Sequence, residues 1–155
     1  MNYKTLGNTD IKISEFALGC WPFAGGKEWG FQEDSDSIAA VDESINQGIN
    51  FFDTAPGYGD GRSEQVLGKA LKTKRLTSVI ATKVPPAQLK PNDLRASCEN
   101  SLKNLQTDYI DLYQCHAWDY YTPVEETMRV LDDFVPVSYT HLRAHETLRY
   151  RVCRL

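Results

Sequence analysis

Asn50-Phe51-Phe52-Asp53-Thr54-Ala55-Pro56-Gly57-Tyr58-Gly59-Asp60-Gly61-Arg62-Ser63-Glu64 holds a strand end, a glycine-rich loop and a helix start in one run. Ile49, Phe51 and Phe52 put apolar side chains on both faces, as in a parallel strand buried on both sides, and Asp53 closes it with a charge. Ser63 is expected to cap the following helix, whose Val66, Leu67, Ala70 and Leu71 would face inward. The unit is therefore strand, loop, helix, with an ionisable residue at the strand's last position.

Reading outward, the same unit recurs. Tyr3-Lys4-Thr5-Leu6 and Ile11-Lys12-Ile13 flank Gly7-Asn8-Thr9-Asp10 and predict a hairpin. Glu15-Phe16-Ala17-Leu18-Gly19 reads as a short strand, followed by a Gly- and Trp-rich loop from Cys20 to Phe31. Ser35 is expected to cap a helix running to about Gln47, with Ile38, Val41 and Ile45 on one face and Gly48 as the stop. Ser78 to Lys83 form the next buried strand, ended by Pro85-Pro86, and a helix from about Asn92 to Leu105 carries the stripe Leu94, Cys98, Leu102, Leu105. Tyr109 to His116 give a fourth strand, and a fourth helix begins near Val124 with Met128, Leu131 and Phe134 inward.

Four alternations of strand and helix predict an α/β fold with a parallel sheet and crossover helices. An open dinucleotide-binding sheet would carry G-x-G-x-x-G after its first strand. Gly19-Cys20-Trp21-Pro22-Phe23-Ala24-Gly25-Gly26 is not that pattern. Asp53, Lys83 and His116 instead end successive strands, which is where a closed barrel keeps its functional residues.

With 155 residues, 41% hydrophobic and 25% charged, the chain has the composition of one soluble domain. No apolar run approaches the roughly 20 residues of a spanning helix, and the N-terminus lacks a secretory h-region, so a cytoplasmic location is expected. Cys20, Cys98, Cys115 and Cys153 are widely spaced and read as reduced, mostly buried thiols. A net charge of -4 gives no electrostatic footprint for nucleic acid, and no membrane partner is expected. His141 and His145 stand four apart but lack the Glu and third ligand of a zincin, so no metal site is expected.

Singly, each strand-end residue has a structural explanation: a turn cap, a solvated strand end, a core histidine. Together with Tyr58, topology brings them to one mouth. Proton donation to a carbonyl oxygen needs such a set. A tyrosine with an ordinary pKa of about 10 is a poor acid at neutral pH, and a neighbouring ammonium favours its ionised form. Lys83 would supply the ammonium, Asp53 would hold it, and His116 would donate a hydrogen bond to the substrate oxygen. None can supply hydride, so a nicotinamide or flavin is required.

The run from Asn50 to Glu64 with Leu67-Gly68, then Ala81-Thr82-Lys83, and Asp108 to His116 closely resemble the signature of the aldo-keto reductases. The resemblance spans Tyr3 to Val135. It implies a (β/α)8 barrel of the TIM type, of which about the first four β/α units are present, preceded by a hairpin that plugs the barrel bottom. It also implies NADPH/NADP+ as cofactor, a small-molecule carbonyl or alcohol as substrate, Tyr58 as catalytic acid, Asp53 and Lys83 as its tuning pair, and His116 as the group orienting substrate. Gly19, Cys20, Trp21 and Asp53 are carried over as cofactor contacts, and Trp21, Tyr58, His116 and Trp118 as substrate contacts. The same Tyr-Gly-x-Gly-x-Ser-Glu loop resembles the β subunits of potassium channels, so a cofactor-binding regulatory subunit is the alternative to an enzyme. Which carbonyl is used, in which direction, and with which nicotinamide are left open, as is oligomeric state.

Residues 1–135 thus read as the N-terminal half of such a barrel. From Pro136 the family pattern stops, and the last 20 residues hold four arginines and one glutamate. Back-translated, Val137 to Thr147 resemble a sequencing-library transposase adapter, and Val152 to Leu155 resemble the flow-cell adapter that follows it. Residues 136–155 are therefore expected to be a non-homologous, artefactual and disordered tail. The chain as written is expected to be inactive, because four units are about half of a barrel of roughly 250 residues.

Overall fold

A computed structural model of the chain describes residues 1–134. The expected tail at 136–155, with His141, His145 and Cys153, lies outside the described residues.

A hairpin opens the chain: β1 (Tyr3–Thr5) pairs antiparallel with β2 (Lys12–Ser14). Then come β3 (Ala17–Gly19), α1 (Gly26–Trp29), α2 (Asp34–Asn46), β4 (Phe51–Asp53), α3 (Arg62–Leu71), β5 (Val79–Val84), α4 (Pro91–Leu105), β6 (Leu112–Cys115) and α5 (Val124–Phe134). The four later strands form one parallel sheet in the order β3-β4-β5-β6. Sequential order with a helix after each strand is the barrel arrangement, and it lacks the reversal of a doubly wound sheet.

Strand alternation sorts the side chains into two layers. Phe52, Ile80 and Tyr113 turn toward the helices and join Val41, Val66, Leu67, Leu71, Leu94, Leu105 and Leu131 in the main core. Phe51, Ala81 and Leu112 turn the other way, where Leu6, Ile11 and Ile13 of the hairpin cover them. The hairpin therefore plugs the inner face. By the same alternation Asp53 and Lys83 lie on this inner face, at the strands' C-terminal ends.

Two expected caps are not formed. Neither α2 nor α3 has a side-chain cap, and their N-terminal flanking residues are Glu33 and Gly61. Asp34 and Asp36 meet the positive end of α2 instead, and Asp34 also accepts from Arg62 at 3.0 Å and Lys69 at 2.8 Å. Ser63 is committed elsewhere, as described below. The expected loop from Cys20 to Phe31 contains a 3-10 turn at Trp21–Ala24 and the short α1. β6 starts later than expected because Asp111 turns its carboxylate to the Ile80 N–H at 2.9 Å, taking the place of a ladder acceptor.

Arg75 braces that strand start. It donates to the carbonyls of Ser78 and Tyr109 at 2.8 Å each and pairs with Asp111 at 2.7 Å, its guanidinium 3.7 Å from the Tyr109 ring centroid. Cys20 and Cys98 are buried free thiols, and burial pushes Cys98 up to about 12. Such thiols are unreactive at neutral pH. No helix of the described residues is long and apolar enough to cross a membrane.

Candidate active site

Three strand ends and one loop converge. Lys83 leaves the inner face of β5 and its Nζ donates to Asp53 Oδ1 at 3.0 Å and Oδ2 at 2.9 Å across the β4–β5 pair. The same ammonium donates to the Thr54 carbonyl at 2.7 Å and reaches the Tyr58 hydroxyl at 3.4 Å. It also lies 5.0 Å from the Tyr58 ring centroid. The Lys83 side chain is 13% exposed and that of Asp53 37%, so the pair sits at the rim of the protein interior and not in free solvent.

The loop carrying Tyr58 is held from both sides. Gly59, at φ 63°, brings its backbone so close to Ala24 that a Cβ there would stand 3.0 Å from the Ala24 Cβ. Arg62 reaches back to the Phe23 carbonyl at 3.2 Å and the Gln32 carbonyl at 2.7 Å. The first β/α loop and the tyrosine loop are thereby one unit.

His116 follows β6 directly, and its backbone N–H continues the ladder to the Val84 carbonyl at 3.0 Å. Its ring meets Tyr58 edge-on, with centroids 5.8 Å apart at 86°. Partial burial, and after it the charge of Lys83, hold its pKa below the ordinary histidine value against the opposing pull of Asp53. At neutral pH the imidazole is therefore uncharged and carries one N–H donor.

Trp21 is brought to the same mouth. Its indole stacks on Tyr58, with centroids 5.6 Å apart at 21°, and receives Trp29 edge-on at 5.6 Å. Gly19 pairs with Asp53 in the β3–β4 register, and a Cβ built on it would meet nothing within 4 Å. Cys20 is placed differently: its side chain is fully buried in the layer between sheet and helices. Its thiol is turned away from the mouth, and burial pushes its pKa up. Trp118 is 69% exposed and packs on Tyr120, centroids 4.3 Å apart, in a turn tied by Asp119 to the Tyr121 and Thr122 N–H groups. It lies on the segment after His116 with no ring contact to Tyr58 or Trp21 among those formed by the described residues.

Several site residues were not evident from sequence. Trp29 belonged to a loop read only as Gly- and Trp-rich. Glu64 is fully buried, accepting from Thr82 at 2.6 Å and Asn104 at 2.9 Å, and so ties α3 to β5 one residue before Lys83. Its signal was its place in the quoted run. A cavity of about 550 Å3 lined by Arg75, Leu102, Lys103, Gln106, Thr107 and Asp108 lies elsewhere and includes none of these residues.

The sequence profile of the Aldo/keto reductase family matches residues 15–137. The chain belongs to this family. Aldo-keto reductase YhdN of Bacillus subtilis is 43% identical over 144 residues, covering 86% of this chain and 43% of its own length. A probable voltage-gated potassium channel subunit beta of Oryza sativa is 33% identical, with 85% of this chain and 42% of its own length covered. Among solved structures, an aldo-keto reductase from Klebsiella pneumoniae in complex with NADP and acetate aligns with a TM-score of 0.77 at 30% identity, covering 84% of this chain and 44% of that one. The thermostable aldo-keto reductase Tm1743, with inhibitor bound, reaches a TM-score of 0.84 at 36% identity over 91% of this chain and 52% of that one. The chain thus spans about half the length of the relatives it matches.

Proposed function

We propose that the complete protein carrying this aldo-keto reductase chain interconverts small carbonyls and alcohols with NADPH/NADP+, and that Tyr58 is the general acid of the reduction. The observation that carries the reading is Lys83 Nζ, which bonds both Asp53 oxygens and reaches the hydroxyl of Tyr58, whose ring meets that of His116 edge-on.

The residues present fit a nicotinamide at this mouth. Open space over Gly19 beside Asp53 leaves room for a flat ring, and Trp21, half-exposed and stacked on Tyr58, lines the same mouth. Gly19, Trp21 and Asp53 are the proposed contacts, with Cys20 shaping the strand end. When bound, the cofactor supplies the hydride that adds to the carbonyl carbon. Tyr58 gives its phenolic proton to the carbonyl oxygen. Lys83 stabilises the phenolate oxygen left behind, and Asp53 balances and holds the Lys83 charge. His116, neutral at pH 7, donates its N–H to the substrate oxygen and so orients it toward Tyr58. Trp21 and Trp118 are the proposed apolar walls for the substrate.

NADP in a Klebsiella pneumoniae relative supports the phosphorylated cofactor, although a 36% identical Escherichia coli relative is named an NADH-specific methylglyoxal reductase. The second reading, a regulatory subunit that binds cofactor without turnover, is favoured by the identity to the Oryza sativa channel subunit. Steady-state oxidation of NADPH by the complete protein with a panel of small aldehydes separates the two. Turnover that saturates with aldehyde is expected. Tight NADPH binding with no turnover across the panel would favour the regulatory reading.

A further inference from the structure

Behind Lys83 lies a buried pair of hydroxyls that the proposed chemistry does not use. Thr54 and Ser63 are both fully buried, and their side-chain oxygens are 2.8 Å apart. Ser63 Oγ also lies 2.6 Å from the Cys20 carbonyl, which can only accept. A serine has one hydroxyl proton, so Ser63 gives it to Cys20. The proton between the two hydroxyls must then come from Thr54. The direction of the chain is fixed: Thr54 to Ser63 to the carbonyl of Cys20.

That chain sets a peptide plane. The Thr54 N–H donates to the Ala81 carbonyl at 2.9 Å, and the Cys20 N–H donates to the Asp53 carbonyl at 2.8 Å. With its side chain anchored as well, Thr54 aims its own carbonyl at Lys83 Nζ, 2.7 Å away. An ammonium has three protons. One serves the two Asp53 oxygens, one the Thr54 carbonyl, and the third is left for Tyr58. The Asp53 carboxylate and the Thr54 carbonyl together take two of the three protons, so the place of the Thr54 carbonyl decides where the third is aimed relative to the phenol.

We infer that Thr54 and Ser63 are positioning residues, which orient Lys83 toward Tyr58 and couple that contact to the first β/α loop through the Cys20 carbonyl. The inference deepens the proposed reductase reading, and its first test does not depend on that reading. The 15N-lysine spectrum of the chain is expected to contain a slowly exchanging Lys83 ammonium signal, assigned by its absence in Lys83→Met. Thr54→Val preserves shape and removes the hydroxyl, so it should abolish the signal, whereas Thr54→Ser should retain it. Ser63→Ala is a second route to the same loss if Thr54→Val does not fold. A Lys83 signal that persists in folded Thr54→Val or Ser63→Ala overturns the inference. In the complete protein the same two variants should lower kcat roughly tenfold with KM within about twofold, since small misplacements act on the reacting geometry. Equal kcat for Thr54→Val and Thr54→Ser in an active enzyme also overturns it. Absent turnover in the unaltered protein, with the spectral pattern intact, removes the reductase reading and leaves the positioning role standing.

Discussion

At the scale of single residues, each member of the site is constrained by where its strand ends. Asp53 and Lys83 share a face because alternate residues of a strand do, and they meet because β4 and β5 are paired in register. Their 2.9 Å contact is a consequence of topology as much as of charge. His116 is the histidine of the site. Its pKa lies below 6.5, lowered first by burial and then by Lys83. Between that lowered value and 6.5 the unfolded chain binds more protons than the native one, so stability rises with pH through this window and falls on acidification. The His116 Cε1 proton resonance should therefore titrate with a midpoint below 6.5, and His116→Gln should flatten the stability slope in the same window. A midpoint above 6.5 would show that Asp53 outweighs both burial and Lys83.

At the scale of elements, α3 and α4 meet at Gly68, where a Cβ would stand 2.4 Å from the Leu105 carbonyl oxygen. An alanine would favour the helix by about 1 kcal/mol, but the overlap is with backbone, which cannot rotate away. Overpacking of this kind costs about 1–3 kcal/mol or more, so Gly68→Ala should lower the urea midpoint. A raised midpoint would mean that the two helices separate freely. The element pattern was largely legible in sequence, because buried parallel strands and striped helices differ in period. Val66, Leu67, Ala70 and Leu71 are buried as their spacing requires. The strand-end rule led to Asp53, Lys83 and His116 for the same reason. The expected Ser63 cap is not formed, because its hydroxyl could serve its own helix or the Cys20 carbonyl, and that choice is made by a residue 43 positions away. Trp29 escaped notice for a like reason: only the folded loop brings it edge-on to Trp21.

At the scale of the whole molecule, the described residues make a four-stranded sheet plugged by a hairpin, in a family whose solved members compared above are about twice as long. Among the described residues β3 and β6 each pair along one edge only. Unpaired parallel edges beside an apolar inner face favour association. The 155-residue chain by itself should therefore sediment above its 17.6 kDa monomer mass, and should turn over no aldehyde. Joining residues 1–134 to the C-terminal half of YhdN should pair both edges and abolish that association. A monodisperse, active 17.6 kDa species would contradict both expectations.

The proton at the phenol is where the three scales meet, since strand ends, loop anchoring and barrel topology all converge on Tyr58. Tyr58→Phe removes one oxygen and leaves the stack with Trp21 in place. In the complete protein this change should reduce kcat for aldehyde reduction by about two to four orders of magnitude while NADPH affinity stays within about twofold. Reduction by Tyr58→Phe at a rate close to that of the unaltered enzyme would contradict the assignment of Tyr58 as the acid.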